Sequence, residues 1–251
     1  MISDVVYARS GGRDLKLDLF LPKSGVGPYA VVVYIHGGGW RSGSRRQFYG
    51  YAAQMATFGF AGVTIDYRLS PEARYPAAVE DCRAAIRWIR ANATKYNLDP
   101  KRIGVAGQSA GGHLAAILGV TADTALKVRA VAAFNPLLDL AAAAQASPRE
   151  VGSAITKFLG VTYAEDPDLW REASPLAHVS SNSAPMLLLH GTADATVPYA
   201  QSVAMFNALK AAGVAAELYS VEGAGHLWFF NSKVAFQASL RRVEEFFRKY
   251  L

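Results

Sequence analysis

The segment Gly107-Gln108-Ser109-Ala110-Gly111 sets a serine between glycines two positions to either side. A serine hydroxyl attacks a carbonyl only when it is exposed, beside a base and near N–H donors. A sharp strand-to-helix turn achieves this, provided its flanking residues are too small to clash. The base and its orienter are sought in similar settings. Asp194 follows an apolar run and a glycine in Leu189-His190-Gly191-Thr192-Ala193-Asp194, and His226 ends the small-residue stretch Gly223-Ala224-Gly225. The expected division of labour makes Ser109 the nucleophile, His226 the general base that later returns the proton, and Asp194 the group that fixes the imidazole tautomer. Asp139, Asp166 and Asp168 lack the strand-then-glycine setting and compete poorly for that last role.

His36-Gly37-Gly38-Gly39-Trp40 lies upstream, directly after another apolar run. Consecutive glycines let backbone N–H groups turn towards a developing negative oxygen, and one such donor is worth roughly 10²–10³ in turnover. No Gly-Lys-Ser/Thr follows, and the spacing does not suit a dinucleotide fingerprint, so phosphate cradles are set aside. His36 is expected to brace the loop, His113 to support packing one turn after Ser109, and His190 to satisfy local backbone. His178 is expected to be exposed. No two histidines stand at metal-ligand spacing and Cys82 is the sole cysteine, so neither a metal nor an intrachain disulfide is expected. No cofactor is implied.

The elements that must position these residues are legible in the hydropathy. Continuous aliphatic runs at 30–35, 60–65, 102–106, 130–134, 186–189 and 216–221 suit strands buried on both faces of a parallel sheet. Helical spacing fills the intervals, as at Val79, Cys82, Ile86 and Ile89, and again at Phe236, Leu240, Val243 and Phe247. Residues 5–10 and 15–20, parted by Gly11-Gly12, read as an antiparallel hairpin on the sheet edge. The expectation is one α/β domain over 1–251, its sheet mostly parallel, with helices on both faces. The rhythm breaks over 138–180, where Ser-Pro and acidic punctuation surrounds short helical pieces, and this excursion is expected to form a small lid. Reactive residues just past the carboxyl ends of strands sit where open parallel sheets gather their sites.

These segments together resemble the α/β-hydrolase superfamily. Within it, His36-Gly37-Gly38-Gly39, Asp66-Tyr67-Arg68-Leu69-Ser70-Pro71-Glu72 and Pro76-Ala77-Ala78-Val79-Glu80-Asp81 resemble the hormone-sensitive-lipase-type carboxylesterases and their smaller bacterial feruloyl- or acetyl-xylan-esterase-like cousins. The resemblance spans roughly residues 15–250. It implies a Ser109–Asp194–His226 triad and an oxyanion hole of Gly38, Gly39 and Ala110 N–H groups, with Gly37 or Trp40 as substitutes for one glycine. It implies hydrolysis of small or aromatic acyl esters through an acyl-enzyme. Two departures favour the smaller cousins: only 35 residues precede His36, and Gln108 stands where the larger enzymes commonly carry Asp. Trp40 and Trp228 adjoin the reactive loops and are expected to wall the substrate.

Amide cleavage, as by an arylformamidase or an exopeptidase, would use the same three side chains. Gly39 argues against the formamidase, whose loop tends to carry an aromatic there. A non-catalytic ligand-binding protein of this fold is disfavoured because all three reactive residues are present. The charge balance of 26 Lys+Arg against 20 Asp+Glu is scattered and forms no nucleic-acid-binding block, and no apolar run is long enough to span a membrane. The expected partner is a small-molecule ester. No basic-then-apolar leader is visible from Met1, which makes the cytoplasm the expected compartment and secretion the alternative if a leader precedes the chain.

Overall fold

The computed structural model describes residues 1–121 and 126–251. The aliphatic runs form strands β1 (Ile2–Ser10), β2 (Arg13–Phe20), β3 (Tyr29–Ile35), β4 (Ala61–Ile65), β5 (Leu98–Gln108), β6 (Ala130–Phe134), β7 (Met186–Gly191) and β8 (Ala216–Val221). They make one sheet in the order β1-β2-β4-β3-β5-β6-β7-β8. β1 and β2 pair antiparallel, as does β2 with β4, and every later pairing is parallel. The hairpin therefore sits at one edge, as expected.

Continuous hydrophobicity in the central strands follows from burial on both faces. In β3, Val31, Val33 and Ile35 enter one apolar cluster while Val32 and Tyr34 enter the other. In β7, Met186 and Leu188 face the first cluster, Leu187 and Leu189 the second. Helices α2 (Ala77–Ala91), α3 (Ala110–Val120) and α7 (Ala200–Ala211) cover the first face; α1 (Tyr49–Thr57) and α9 (Lys233–Tyr250) cover the second. In α9 only one stripe is buried, through Leu240, Val243, Phe246 and Phe247, as its 3.6-residue periodicity requires.

β5 is longer than its apolar run because Leu98 already pairs with Tyr29, and because the strand continues to Gln108, right against Ser109. The excursion after β6 contains α4 (Leu140–Ala146), a π-helical turn over Pro148–Gly152, α5 (Ser153–Leu159) and α6 (Pro167–Glu172). Asp139 and Asp166 are spent as helix caps, accepting from Ala142 and Leu169 N–H. Ile155, Phe158 and Trp170 anchor the excursion in the first cluster. A last short helix, α8 (Trp228–Asn231), precedes α9.

Candidate active site

β5 ends at Gln108 and α3 begins at Ala110, so Ser109 alone makes the reversal, with φ 54 and ψ −118. That left-handed conformation is strained for a non-glycine residue and throws the side chain outward from the turn. The glycines exist for the same reason. A Cβ on Gly107 would collide with the Gly111 carbonyl, and one on Gly111 with the carbonyls of Ile35 and His36. The turn is tied by Ser109 N–H to Phe134 O (2.9 Å) and His113 N–H to Ser109 O (2.9 Å).

The structure brings Asp194 and His226 together, with His226 Nδ1 2.7 Å from Asp194 Oδ2. Asp194 is seated by its own loop: the N–H groups of Thr196 and Val197 both donate to Oδ1 at 2.9 Å. His190 Nε2 approaches Oδ2 at 3.3 Å, with both side chains fully buried. Burial alone would raise the Asp194 carboxyl. Hydrogen bonds from His190, His226 and Val197 outweigh it and hold the group well below the ordinary carboxylate range. A carboxylate beside Nδ1 requires the proton on that nitrogen and leaves Nε2 bare. Asn135, at φ 43, clamps the histidine loop: Nδ2 donates to the His226 carbonyl, while Oδ1 accepts from Trp228 Nε1 and Gly191 N–H, both at 3.3 Å.

Opposite lies the glycine loop. Gly38 and Gly39 have φ of 108 and 59, and the Gly38 carbonyl accepts from Arg41 N–H and Ser42 N–H at 3.1 Å. Among the described residues the N–H groups of Gly38, Gly39 and Ala110 have no hydrogen-bond acceptor. Free donors are what an oxyanion requires. His36 does brace this loop, stacking on Tyr67 at 4.2 Å while the Tyr67 hydroxyl donates to the His36 carbonyl. Burial pushes the His36 imidazole below its ordinary value, partly offset by its bond to the Gly37 carbonyl.

A cleft of about 420 Å³ joins these parts, lined by Gly38, Gly39, Ser109 and His226. Trp40 forms part of its wall, nearly fully buried, stacked on Phe158 at 4.4 Å and donating from Nε1 to His113 Nδ1 at 3.3 Å. Trp228 is the correction. α8 turns its indole into the second cluster against Phe229 and Tyr219, and its N–H is spent on Asn135. Leu227, one residue earlier, lines the cleft instead. The excursion contributes Glu150, Val151 and Ala154 to the lining, and Arg41 adds a cation.

Four participants were missed in the sequence. His190 does satisfy backbone, at Val197 O (2.9 Å), but it also serves Asp194. Its four-residue separation from Asp194 is the one local signal. Gln47 and Asn135 carry no signal, and Gln108, visible in the sequence only as the residue before Ser109, gives no sign of the distant loop it contacts. His178 is only half exposed and bonds the Glu172 carbonyl.

A mostly parallel sheet wrapped by helices, with a strained serine turn at the head of β5, defines the α/β-hydrolase fold. Residues 17–209 match the family model BD-FAE, and the chain belongs to that family. It is 33% identical to the esterase LipQ of Mycobacterium tuberculosis, across 97% of this chain and 61% of that protein. A truncated carbohydrate esterase from gut microbiota superposes with a TM-score of 0.85 at 30% identity, covering 99% of this chain and 95% of the other. Esterase Est2 of Thermogutta terrifontis, solved with propionate bound, gives 0.84 at 31% identity, covering 98% and 93%. The chain spans 61% of LipQ and 53% of LipC, a second M. tuberculosis esterase, so much of each relative lies outside the match.

Proposed function

We propose that the protein is a serine carboxylesterase for small acyl esters, acting through Ser109, His226 and Asp194. The observation that carries this is the 2.7 Å Asp194–His226 contact, opening on the cleft that Ser109 and the donor-bearing glycine loop also line. Relatives named as esterases support the chemistry, and the Thermogutta enzyme has been solved phosphonylated by sarin, a reagent for activated serines.

In this reading the ester carbonyl lies over Ser109 with its oxygen towards the N–H groups of Gly38, Gly39 and Ala110. His226 Nε2 takes the Ser109 proton as Oγ bonds to the carbonyl carbon, and the charge moves to the carbonyl oxygen. Collapse breaks the bond to the alcohol, which receives that proton from His226, leaving an acyl-Ser109. Water, deprotonated by the same nitrogen, releases the acid and restores the serine. Residues 138–180 act as a cap on this site, with Val151 and Ala154 beside Trp40 and Leu137 forming an apolar wall for the acyl group. The cleft volume suits short or single-ring acyl groups. Arg41, Ser42 and Glu150 offer polar groups to the alcohol portion, in keeping with a carbohydrate-like leaving group.

The test uses p-nitrophenyl acetate, butyrate and octanoate with a fluorophosphonate label. Turnover favouring the short esters, with the label on Ser109, is expected. A folded protein that turns over none of them and leaves Ser109 unlabelled refutes the reading.

A further inference from the structure

His226 Nε2, the nitrogen that must receive the serine proton, already has a partner: Gln108 Nε2 lies 3.1 Å away. Because Asp194 holds the proton on Nδ1, Nε2 can only accept, so Gln108 must present its amino group. The orientation of that amide is fixed from further back. Gln108 Oε1 accepts from Gln47 Nε2 at 3.4 Å, and Gln47 Oε1 accepts from the backbone N–H of Gly37 at 2.6 Å. A backbone N–H cannot reverse, so the whole chain runs one way, from Gly37 through Gln47 and Gln108 to the imidazole. Gln108 is almost completely buried, and a Cβ on Gly37 would collide with its Oε1, so the glycine makes room for the relay.

We infer that Gln47 and Gln108 are positioning residues: their backbone-anchored relay holds His226 in the form with a bare Nε2 until Ser109 and substrate displace the amide. The inference rests on the proposed role of His226. Its consequence is electrostatic. A proton added to Nε2 would face the Gln108 amino group, donor against donor. The amide could turn its oxygen to that proton only by abandoning Gln47. The relay thus leaves Nε2 bare for the one proton it has to take, that of Ser109. The other charged or titratable groups around this histidine are Asp194 at Nδ1, His190 behind that carboxylate, and Glu150 and Arg41 on the lining of the shared cleft. None of them changes in the test.

Gln108→Met removes the donor, and Gln47→Met removes its anchor and also frees the Gly37 N–H; neither adds charge. In both, the acidic limb of the kcat/KM profile is expected to move to higher pH, by about half to one unit, the size of one net hydrogen bond. Gln47 reaches His226 through Gln108, so the double variant is expected to move the limb no further than Gln108→Met alone. An unmoved limb in Gln47→Met, or a double shift equal to the sum of the singles, overturns the relay. A second readout does not depend on ester turnover: ¹⁵N spectra of the histidine-labelled full chain at fixed pH. Wild type is expected to show His226 Nε2 unprotonated and hydrogen-bonded, with the imidazolium share rising in Gln47→Met. An unchanged His226 spectrum refutes the inference even if the protein is an esterase. A changed spectrum in a protein without esterase activity keeps the relay and removes the function.

Discussion

His113 offers a quantitative test of how the site is held. It lies one turn beyond Ser109 on α3 and is completely buried. Trp40 Nε1 can only donate, so His113 Nδ1 must be bare to accept at 3.3 Å, and Nε2 carries the proton towards the Ala173 carbonyl at 2.7 Å. A second proton would break the Trp40 bond and bury a charge. Burial accordingly pushes the imidazole down from 6.5 to about 4, against a smaller upward pull from the Ala173 carbonyl. The sign follows. The neutral form is favoured in the folded protein, so its contribution is complete above the unfolded value near 6.5 and is lost as pH falls from there towards 4. In that window the unfolded chain binds one proton more, and the gap between the two values corresponds to about 3 kcal/mol. Urea unfolding of wild type and His113→Gln at several pH values between 7 and 4 is the assay. His113→Gln is expected to be less stable at pH 7 but to lose about 3 kcal/mol less than wild type on acidification. His36, also pushed down by burial, leaves the variant some residual slope of the same sign. Asp194 titrates below this window and contributes nothing to the difference. Parallel loss of stability in the two proteins would refute the assignment of the buried neutral imidazole.

The remaining predictions concern the reactive turn and its clamps. Ser109→Ala should lower kcat by on the order of 10⁶ and Asp194→Asn by about 10⁴, with circular dichroism unchanged in both. Gly111→Ala should reduce Tm by roughly 5–10 °C or prevent folding, because its Cβ meets the carbonyls of Ile35 and His36, which are main chain and cannot swing aside; calorimetry decides. Asn135→Ala should cost about 1–3 kcal/mol in urea unfolding by orphaning the buried Trp228 N–H, and should reduce kcat more than it raises KM by loosening the His226 loop.

The sheet was legible because its strands advertise themselves. Two-sided burial forces runs such as Val31–Ile35 to be apolar throughout, and turn residues punctuate them. Ser109, Asp194 and His226, the proposed triad, stand out in the sequence for a related reason: each follows a strand among small neighbours, and small neighbours are visible in a sequence. What failed was facing. Trp228 adjoins His226 in the chain, but one helical step of α8 carries its indole to the other side, into the second cluster. The contacts Gln47–Gln108, Asn135–His226 and Gln108–His226 bridge 61 to 118 positions in the chain and belong to no periodicity, so only the assembled sheet reveals them.

The two nitrogens of His226 are governed from opposite directions, and neither governor is a lone side chain. At Nδ1 the Asp194 carboxylate is itself pinned, by Thr196 and Val197 N–H on one oxygen and by His190 near the other. His190 is in turn oriented by the Val197 carbonyl and the Ser202 hydroxyl, both fixed beyond the end of β7. At Nε2 the amide of Gln108 is oriented through Gln47 by the loop that follows β3. Because β3 and β5 pair directly, and β5 joins β7 through β6, the separation of these two anchoring loops is set by the hydrogen-bond ladders of the sheet. The imidazole carries 16% side-chain exposure while His190 behind it has none. In the proposed mechanism this ring is the one that changes partners, and the groups on both its nitrogens are tied back to main-chain atoms of loops that the sheet holds.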